Sequence, residues 1–442
     1  TARIPRAGPR SRGRSRGRSW PARLLGGHGW AVAPTVGNAA ASGLSAATPL
    51  LIAWGLGPAA LGRFTLVLSI ALIVTVGMLM SLHYVMYQEL PRGAPADRPA
   101  LVTTGLLATA VLGTGVLAAG LLAAPVLTVL LGVDPGTLAF GLVLALTMTL
   151  NQLTESFLRG LRRHALTAGL KLAVAVAYLA VSAYALLVRG VTDTDFYLAA
   201  LIAANLVFAA VSAVGFPIAP RTWSAALARA LYRHGAYLTA LAALTGVLFG
   251  VDVIFLNHWA EQADIGVYSI YNNFPKRLLG VLFTDGVGLV LLPTLATMDK
   301  PTALRRIRRL VPAVFTATAL VSLAASAVFF LLLRARYPYS PGLMALAAVG
   351  IGVHTVFNLY SVTLQMDGVR GAKALIAALL LGAPAVLACQ AVLIAWHGLV
   401  GGLVAFALSN LILVAAVAAV SARTYRRAEP VADGAPAPET SR

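Results

Sequence analysis

Ile265-Gly-Val-Tyr-Ser-Ile-Tyr-Asn-Asn-Phe-Pro-Lys276-Arg277-Leu-Leu-Gly280 opens an apolar run that continues to Met298 and carries two adjacent cations in its middle. The run is long enough to cross a bilayer, whose core of about 30 Å takes about 20 mainly apolar residues. An ionisable residue at the centre of a bilayer costs roughly 2.5 to 3.5 kcal/mol on insertion scales, so such residues face a watery cavity, a counter-ion or a substrate. The segment therefore reads as a membrane span with a polar, cationic interior beside it.

The rest of the chain has the same character. Of its 442 residues, 59% are hydrophobic and only 11% charged, with a mean hydropathy of +0.83, far from the balance of a soluble domain. Twelve stretches of spanning length follow one another, at 31 to 53, 64 to 87, 101 to 123, 137 to 158, 166 to 188, 196 to 218, 236 to 257, 265 to 292, 310 to 333, 342 to 365, 373 to 395 and 398 to 421. The fold class predicted is an all-α polytopic membrane protein.

A formal charge of +19 raises the question of nucleic acid. The placement of the basic residues answers it. Of the 34 Lys and Arg, all but seven fall in the two tails and in one alternate set of loops; Arg63, Arg189, Arg334 and Arg336 lie in the other loops, and Lys171, Lys276 and Arg277 lie inside spans. By the positive-inside rule both termini are cytoplasmic, and the excess charge records orientation. Residues 1 to 30, with the tract Arg10-Ser-Arg-Gly-Arg-Ser-Arg-Gly-Arg18, read as a disordered basic tail or an over-extended gene start, and residues 422 to 442 as a second disordered tail. The single cysteine, Cys389, permits no intrachain disulfide.

Two halves are visible. Leu61-Gly62-Arg-Phe64 opens the second span and Ile265-Gly266-Val-Tyr268 opens the eighth, while Gly160-Leu-Arg162 follows the fourth and Gly368-Val-Arg370 follows the tenth. Such internal similarity marks repeat-built transporters, with six spans per half giving parallel repeats and a site near the midplane between them. The division predicted is an N-terminal lobe at 31 to 218, a cytoplasmic linker at 219 to 235 and a C-terminal lobe at 236 to 421.

No Walker A loop, His-Glu-x-x-His or Cys-x-x-Cys pattern occurs, and the loops are too short for a catalytic domain. Asp193-Thr-Asp195 reads as a solvated turn rather than a sugar-nucleotide site. The expectation is a transporter without enzymatic activity, metal or cofactor.

In the eighth span Tyr268, Asn272 and Lys276, spaced by four, are predicted to share a face, with Asn273 and Arg277 one position round. Pro275 frees the carbonyl of Tyr271 and is expected to bend the helix there. Counted from Ile265, Lys276 lies ~16 Å down the axis, near the bilayer centre. Asp252 in the seventh span and Asp285 and Glu155 elsewhere are candidates for charge balance or ion coupling. Further polar positions are Asn38, Asn151, Gln152, Lys171, His354, Asn358 and Gln365. Their structural alternatives are interhelical hydrogen bonds and snorkelling, and for the two cations an ion pair with Asp252 and Glu155. A positive surplus at mid-membrane favours an anionic ligand, and Arg beside Lys suits a diphosphate.

Leu56-Gly-Pro-Ala-Ala-Leu-Gly-Arg-Phe64 is similar to the Leu-Gly-Pro-x-x-x-Gly-x-Phe signature of polysaccharide export proteins, and Asp252, Ile265-Gly-Val-Tyr-Ser269 and Leu292-Pro293 also match positions of that family. The chain resembles the polysaccharide transporter branch, including O-antigen flippases, of the multidrug, oligosaccharidyl-lipid and polysaccharide exporter superfamily. The resemblance implies a MATE-like arrangement of two parallel six-helix repeats. It also implies a bacterial cytoplasmic membrane protein that flips undecaprenyl-diphosphate-linked oligosaccharide by alternating access, among membrane lipids and beside polysaccharide polymerase or export machinery. In related lipid II flippases cationic residues in central helices, span eight among them, hold the diphosphate, and the resemblance implies that role for Lys276 and Arg277. The first span lacks the Arg those proteins carry, and twelve spans stand where fourteen are usual. A Na+- or H+-coupled multidrug exporter of the same superfamily is the alternative; an integral glycosyltransferase or polymerase would need a long acidic outer loop that is not there.

Overall fold

A computed structural model of the chain describes residues 29–281, 298–333 and 336–426. Among these residues all regular structure is helical. In chain order the helices are α1 (Gly29–Leu56), α2 (Pro58–Leu79), α3 (Leu82–Arg92), α4 (Arg98–Leu122), α5 (Ala124–Leu131), α6 (Pro135–Gly160), α7 (His164–Leu187) and α8 (Thr194–Val214). They continue with α9 (Ala225–Trp259), α10 (Gln262–Tyr268), α11 (Phe274–Val281), α12 (Lys300–Leu332), α13 (Pro341–Gln365) and α14 (Val369–Arg426).

Nine of the described helices are long and apolar enough to cross a membrane. The predicted twelve are reached with α1, with α10 and α11 as the described part of span eight, and with α14 counted twice. At 58 residues α14 is ~87 Å long, more than two bilayer cores, and Gly398, at φ 51° and ψ −125°, turns the chain back between its arms. The architecture is all-α and MATE-like, with two repeats of six.

Short signals set the helix starts. The side chains of Asp134, Ser224, Asp299 and Ser340 accept from the backbone N–H three residues on, and Pro58, Pro135 and Pro341 stand in first turns, where no N–H is needed. Several spans differ from their predicted extents. Span two is broken at Met80 and Ser81, both left-handed at φ 42° and 55°, so α2 and α3 are separate pieces. Span seven begins at Ala225, inside the predicted linker, and span nine at Lys300, ten residues early. In both, charged residues on the exposed side of an amphipathic first stretch hide a helix that buries Ala228 and Leu231, or Ala303 and Ile307, on the other.

The packing distinguishes the two ends of the bundle. At the end with few Lys and Arg, one apolar cluster joins residues of both halves, including Ala53, Leu61, Leu66 and Leu138 with Leu256, Ile265, Tyr337 and Leu403. At the basic end the clusters separate. One is built from Leu241 to Tyr425, and another mainly from Leu79 to Phe216.

Matching polar clamps sit within each half. Asn151 donates to Asn205 Oδ1 at 2.9 Å, tying α6 to α8, and Asn205 Nδ2 donates to Leu201 O four residues back. In the second half His354 Nδ1 meets Asn410 Oδ1 at 2.9 Å, tying α13 to α14, and Asn410 Nδ2 donates to Phe406 O four residues back. Because that last bond fixes the Asn410 amide, its Oδ1 is an acceptor and His354 carries its proton on Nδ1.

Candidate functional site

Between the halves lies a cavity of about 230 Å³ lined by α1, α2, α9, the turn after α10, and α11. Its chemistry is set by a distortion of span eight. Residues Ser269–Asn273 form a π turn, and the N–H of Phe274 donates to Ser269 O, five residues back. A π turn holds one more residue than an α turn and therefore rotates everything after it. Even spacing by four fails here. Tyr268 and Asn272 are fully buried, whereas Asn273, Lys276 and Arg277 reach the cavity. The turn includes Tyr271, whose carbonyl Pro275 is expected to free, and Pro275 stands in the first turn of α11.

Lys276 and Arg277 form no ion pair with a described carboxylate. The ion pairs among the described residues are Arg63–Asp195, Arg92–Glu89, and Glu155 with both Arg159 and Lys171. Lys276 is half-buried with Nζ 5.1 Å from the centre of the Phe406 ring, a cation–π distance, and Arg277 is exposed on the cavity side. The pairing of both cations with Asp252 and Glu155, an alternative raised by the sequence, is not formed.

Asp252 also lines the cavity, at 2% exposed, but its oxygens are occupied. Oδ2 accepts from Tyr268 Oη at 2.5 Å, Oδ1 from Val253 N at 2.8 Å, and Tyr268 Oη in turn accepts from Asn272 Nδ2 at 2.7 Å. Tyr268 and Asn272 thus act behind the cavity wall, on Asp252, and not in the cavity.

α2 adds Phe64, Leu68, Leu72 and Ile73 to the lining. Counting back 204 residues, the sequence offset between Gly62 and Gly266, pairs Lys276 with Leu72 and Arg277 with Ile73. The π turn shifts span eight by one residue beyond Asn273, so this match is one of sequence register, but the contrast holds: α11 brings cations to the lining and α2 brings apolar residues.

The remaining predicted residues are not brought to this cavity. Glu155 lies 2.7 Å from Lys171 Nζ in the first half. Asn151 and His354 serve the clamps, and the His354 ring lies 4.9 Å from that of Phe249, behind the lining. Asn38, Gln152 and Asn358 are half-buried away from it. Asp285 lies outside the described residues. Thr65, Ser69, Thr245 and Phe249 line the cavity and were not singled out by sequence; the repeat offset, which equates Thr65 with Ser269, was the available signal for the first.

No family model and no curated protein matches the sequence. Solved structures match across most of the chain. A multidrug resistance MATE family transporter of the MOP superfamily, in an inward-facing conformation, aligns at 11% identity over 87% of this chain and 94% of its own, with a TM-score of 0.64. The lipid II flippase MurJ, in an inward closed conformation, aligns at 10% identity over 87% and 86%, with a TM-score of 0.56. A MOP superfamily transporter from Pyrococcus furiosus, described by the reverse polarity of its binding pocket, aligns at 14% over 89% and 95%, at 0.54. These likenesses establish the fold shared by multidrug and lipid-linked-substrate transporters.

Proposed function

We propose that the chain is a flippase for lipid-linked oligosaccharides, passing a diphosphate-bearing head group across the membrane by alternating access between its two lobes. The observation that carries this reading is the cavity itself: Lys276 and Arg277, unpaired with any described carboxylate, share its lining with the apolar Leu68, Leu72 and Ile73. A guanidinium fork and an ammonium suit the oxygens of a diphosphate, and the apolar part of the lining suits the chain attached to it. The cargo that meets both demands is an amphiphile with a polyanionic head.

In the same reading the glycan carrier is undecaprenyl diphosphate and the membrane is the bacterial cytoplasmic membrane. The distribution of basic residues supports cytoplasmic termini, and polysaccharide polymerase or export machinery would take the product. Asp252, held in the cavity wall by Tyr268, is the group proposed for ion coupling or charge balance. Asp252 also supports a second reading, a multidrug exporter, since a carboxylate suits a cationic drug. Two cations against one carboxylate leave the cavity net positive and favour the anionic cargo.

The test is titration of a fluorescent undecaprenyl diphosphate into the protein in lipid nanodiscs. Each of Lys276→Gln and Arg277→Gln is expected to weaken binding by about tenfold to a hundredfold, the loss of one charge-assisted hydrogen bond at about 1.5 to 3 kcal/mol. Unchanged affinity in the double variant at normal protein level refutes the diphosphate site. Tight binding of a cationic dye that is lost in Asp252→Asn would instead select the exporter.

A further inference from the structure

The repeated motifs that open spans two and eight meet each other in the structure. A Cβ added at Gly62 would stand 1.8 Å from Gln262 O, and one added at Gly266 would stand 2.0 Å from Pro58 O. These contacts are reciprocal. Pro58 and Gln262, like Gly62 and Gly266, are 204 residues apart, so each glycine faces the residue four positions before the other. A contact in which i meets j and j meets i surrounds a two-fold axis. Near that axis the hydroxyls of Thr65 and Ser269, again 204 apart, share a hydrogen bond of 2.9 Å. Thr65 and Ser269 also line the cavity, so the crossing forms its roof.

We propose that the Gly62–Gly266 crossing is a pseudo-two-fold lock that closes the outer mouth of the cavity and parts when the lobes open outward; it rests on the transport reading but on no particular cargo. Outer here means the end with few Lys and Arg. Glycines let two helix backbones meet without interdigitating side chains, so the surfaces can separate and reseal with little repacking. Among the described residues the clusters at the basic end join the halves less broadly, through Leu227, Leu231 and Tyr232 packed on the first half. Among the described residues the polar bonds that bridge the lobes at the rim are few: Asn257 Nδ2 to Leu131 O and Gly132 O at 3.1 and 2.9 Å, Arg336 Nη1 to Gly55 O at 3.0 Å and to Trp54 O, and Tyr337 Oη to Ala53 O at 3.3 Å.

A methyl group at either glycine meets backbone oxygen, which no rotamer change can move. Real Cβ contacts essentially never fall below 3.0 Å, so the closed state must open by more than an ångström at the crossing in Gly62→Ala or Gly266→Ala. In a Cys389→Ala, Ser69→Cys background, labelling of the cavity by a membrane-impermeant maleimide reads the mouth from either side of the membrane. Both alanine variants should raise labelling in intact cells about tenfold, as a minor outward-open state becomes dominant, and lower it in inverted vesicles. Labelling that rises on both sides, or on neither, overturns the lock. Independently of those variants, a Thr65→Cys, Ser269→Cys pair should form a disulfide under mild oxidation and, when reduced, react with the same reagent from outside. A pair that neither cross-links nor reacts from outside overturns it equally. These readouts need no substrate, so failure of the diphosphate assignment leaves them interpretable.

Discussion

Replacing Tyr268 by Phe removes one oxygen from a site where it serves two partners. Tyr268 is 0% exposed; its hydroxyl donates to Asp252 Oδ2 at 2.5 Å and accepts from Asn272 Nδ2 at 2.7 Å. After the change Asp252 keeps only the Val253 N–H, and the Asn272 amide loses its acceptor while its Oδ1 is already without a described partner. A lost hydrogen bond to an ionised group is worth about 1.5 to 3 kcal/mol and a stranded buried amide about 1 kcal/mol or more, giving about 3 to 4 kcal/mol in all. An ordinary interhelical hydrogen bond in lipid averages only about 0.6 kcal/mol, so the measurement separates an ionised carboxylate from a neutral network. Equilibrium unfolding in mixed micelles provides the number. A double-mutant cycle with Asp252→Asn should show a coupling of about 1 to 3 kcal/mol, because the two side chains touch. A Tyr268→Phe cost below about 0.5 kcal/mol, or no coupling to Asp252, would refute the reasoning.

The two clamps should respond alike. Asn205→Leu and Asn410→Leu are each expected to cost about 1 kcal/mol in the same unfolding assay, since each strands one donor, the Asn151 amide or the His354 Nδ1 proton. Glu155→Gln should destabilise by about 1 to 3 kcal/mol by leaving Lys171 without its 2.7 Å partner, and adding Lys171→Gln should recover most of that loss; a Glu155→Gln variant as stable as the parent contradicts a paired role for this group.

Much of the frame was legible because spans announce themselves by composition and because the repeat left Leu61-Gly62 and Ile265-Gly266 as marks of a shared design. What was not legible depends on tertiary contact. Ser269–Asn273 carries no residue that signals an extra residue in the turn, yet that insertion decides that Lys276 faces the cavity while Tyr268 and Asn272 turn away. Met80 and Ser81 break span two without glycine or proline. The charged residues at Arg229, Arg233 and Arg305 to Arg309 read as loop, whereas a helix with one buried side accommodates them. Asp252 and Tyr268 lie sixteen residues apart on different helices, and no spacing rule pairs them.

The repeat and the site obey opposite demands. A mouth formed by two equivalent helices opens evenly only if both sides release together, and the residues at the crossing match across the offset: Gly62 with Gly266, Thr65 with Ser269. An amphiphile has unlike ends, so a symmetric pocket would serve it badly. Seven residues past Thr65 the equivalence has stopped. Ser69 and Asn273, both polar, match at the offset and both line the cavity, but past the π turn α2 brings Leu72 and Ile73 to the lining where α11 brings Lys276 and Arg277. A second pair of cations on α2 would set like charges around one small cavity, where a unit pair at 4 Å repels by about 4 kcal/mol at an effective dielectric of 20. Apolar residues there avoid that cost and leave a surface for a hydrocarbon chain. The position where the two repeats cease to match is therefore the position at which a polar head and an apolar tail can be told apart.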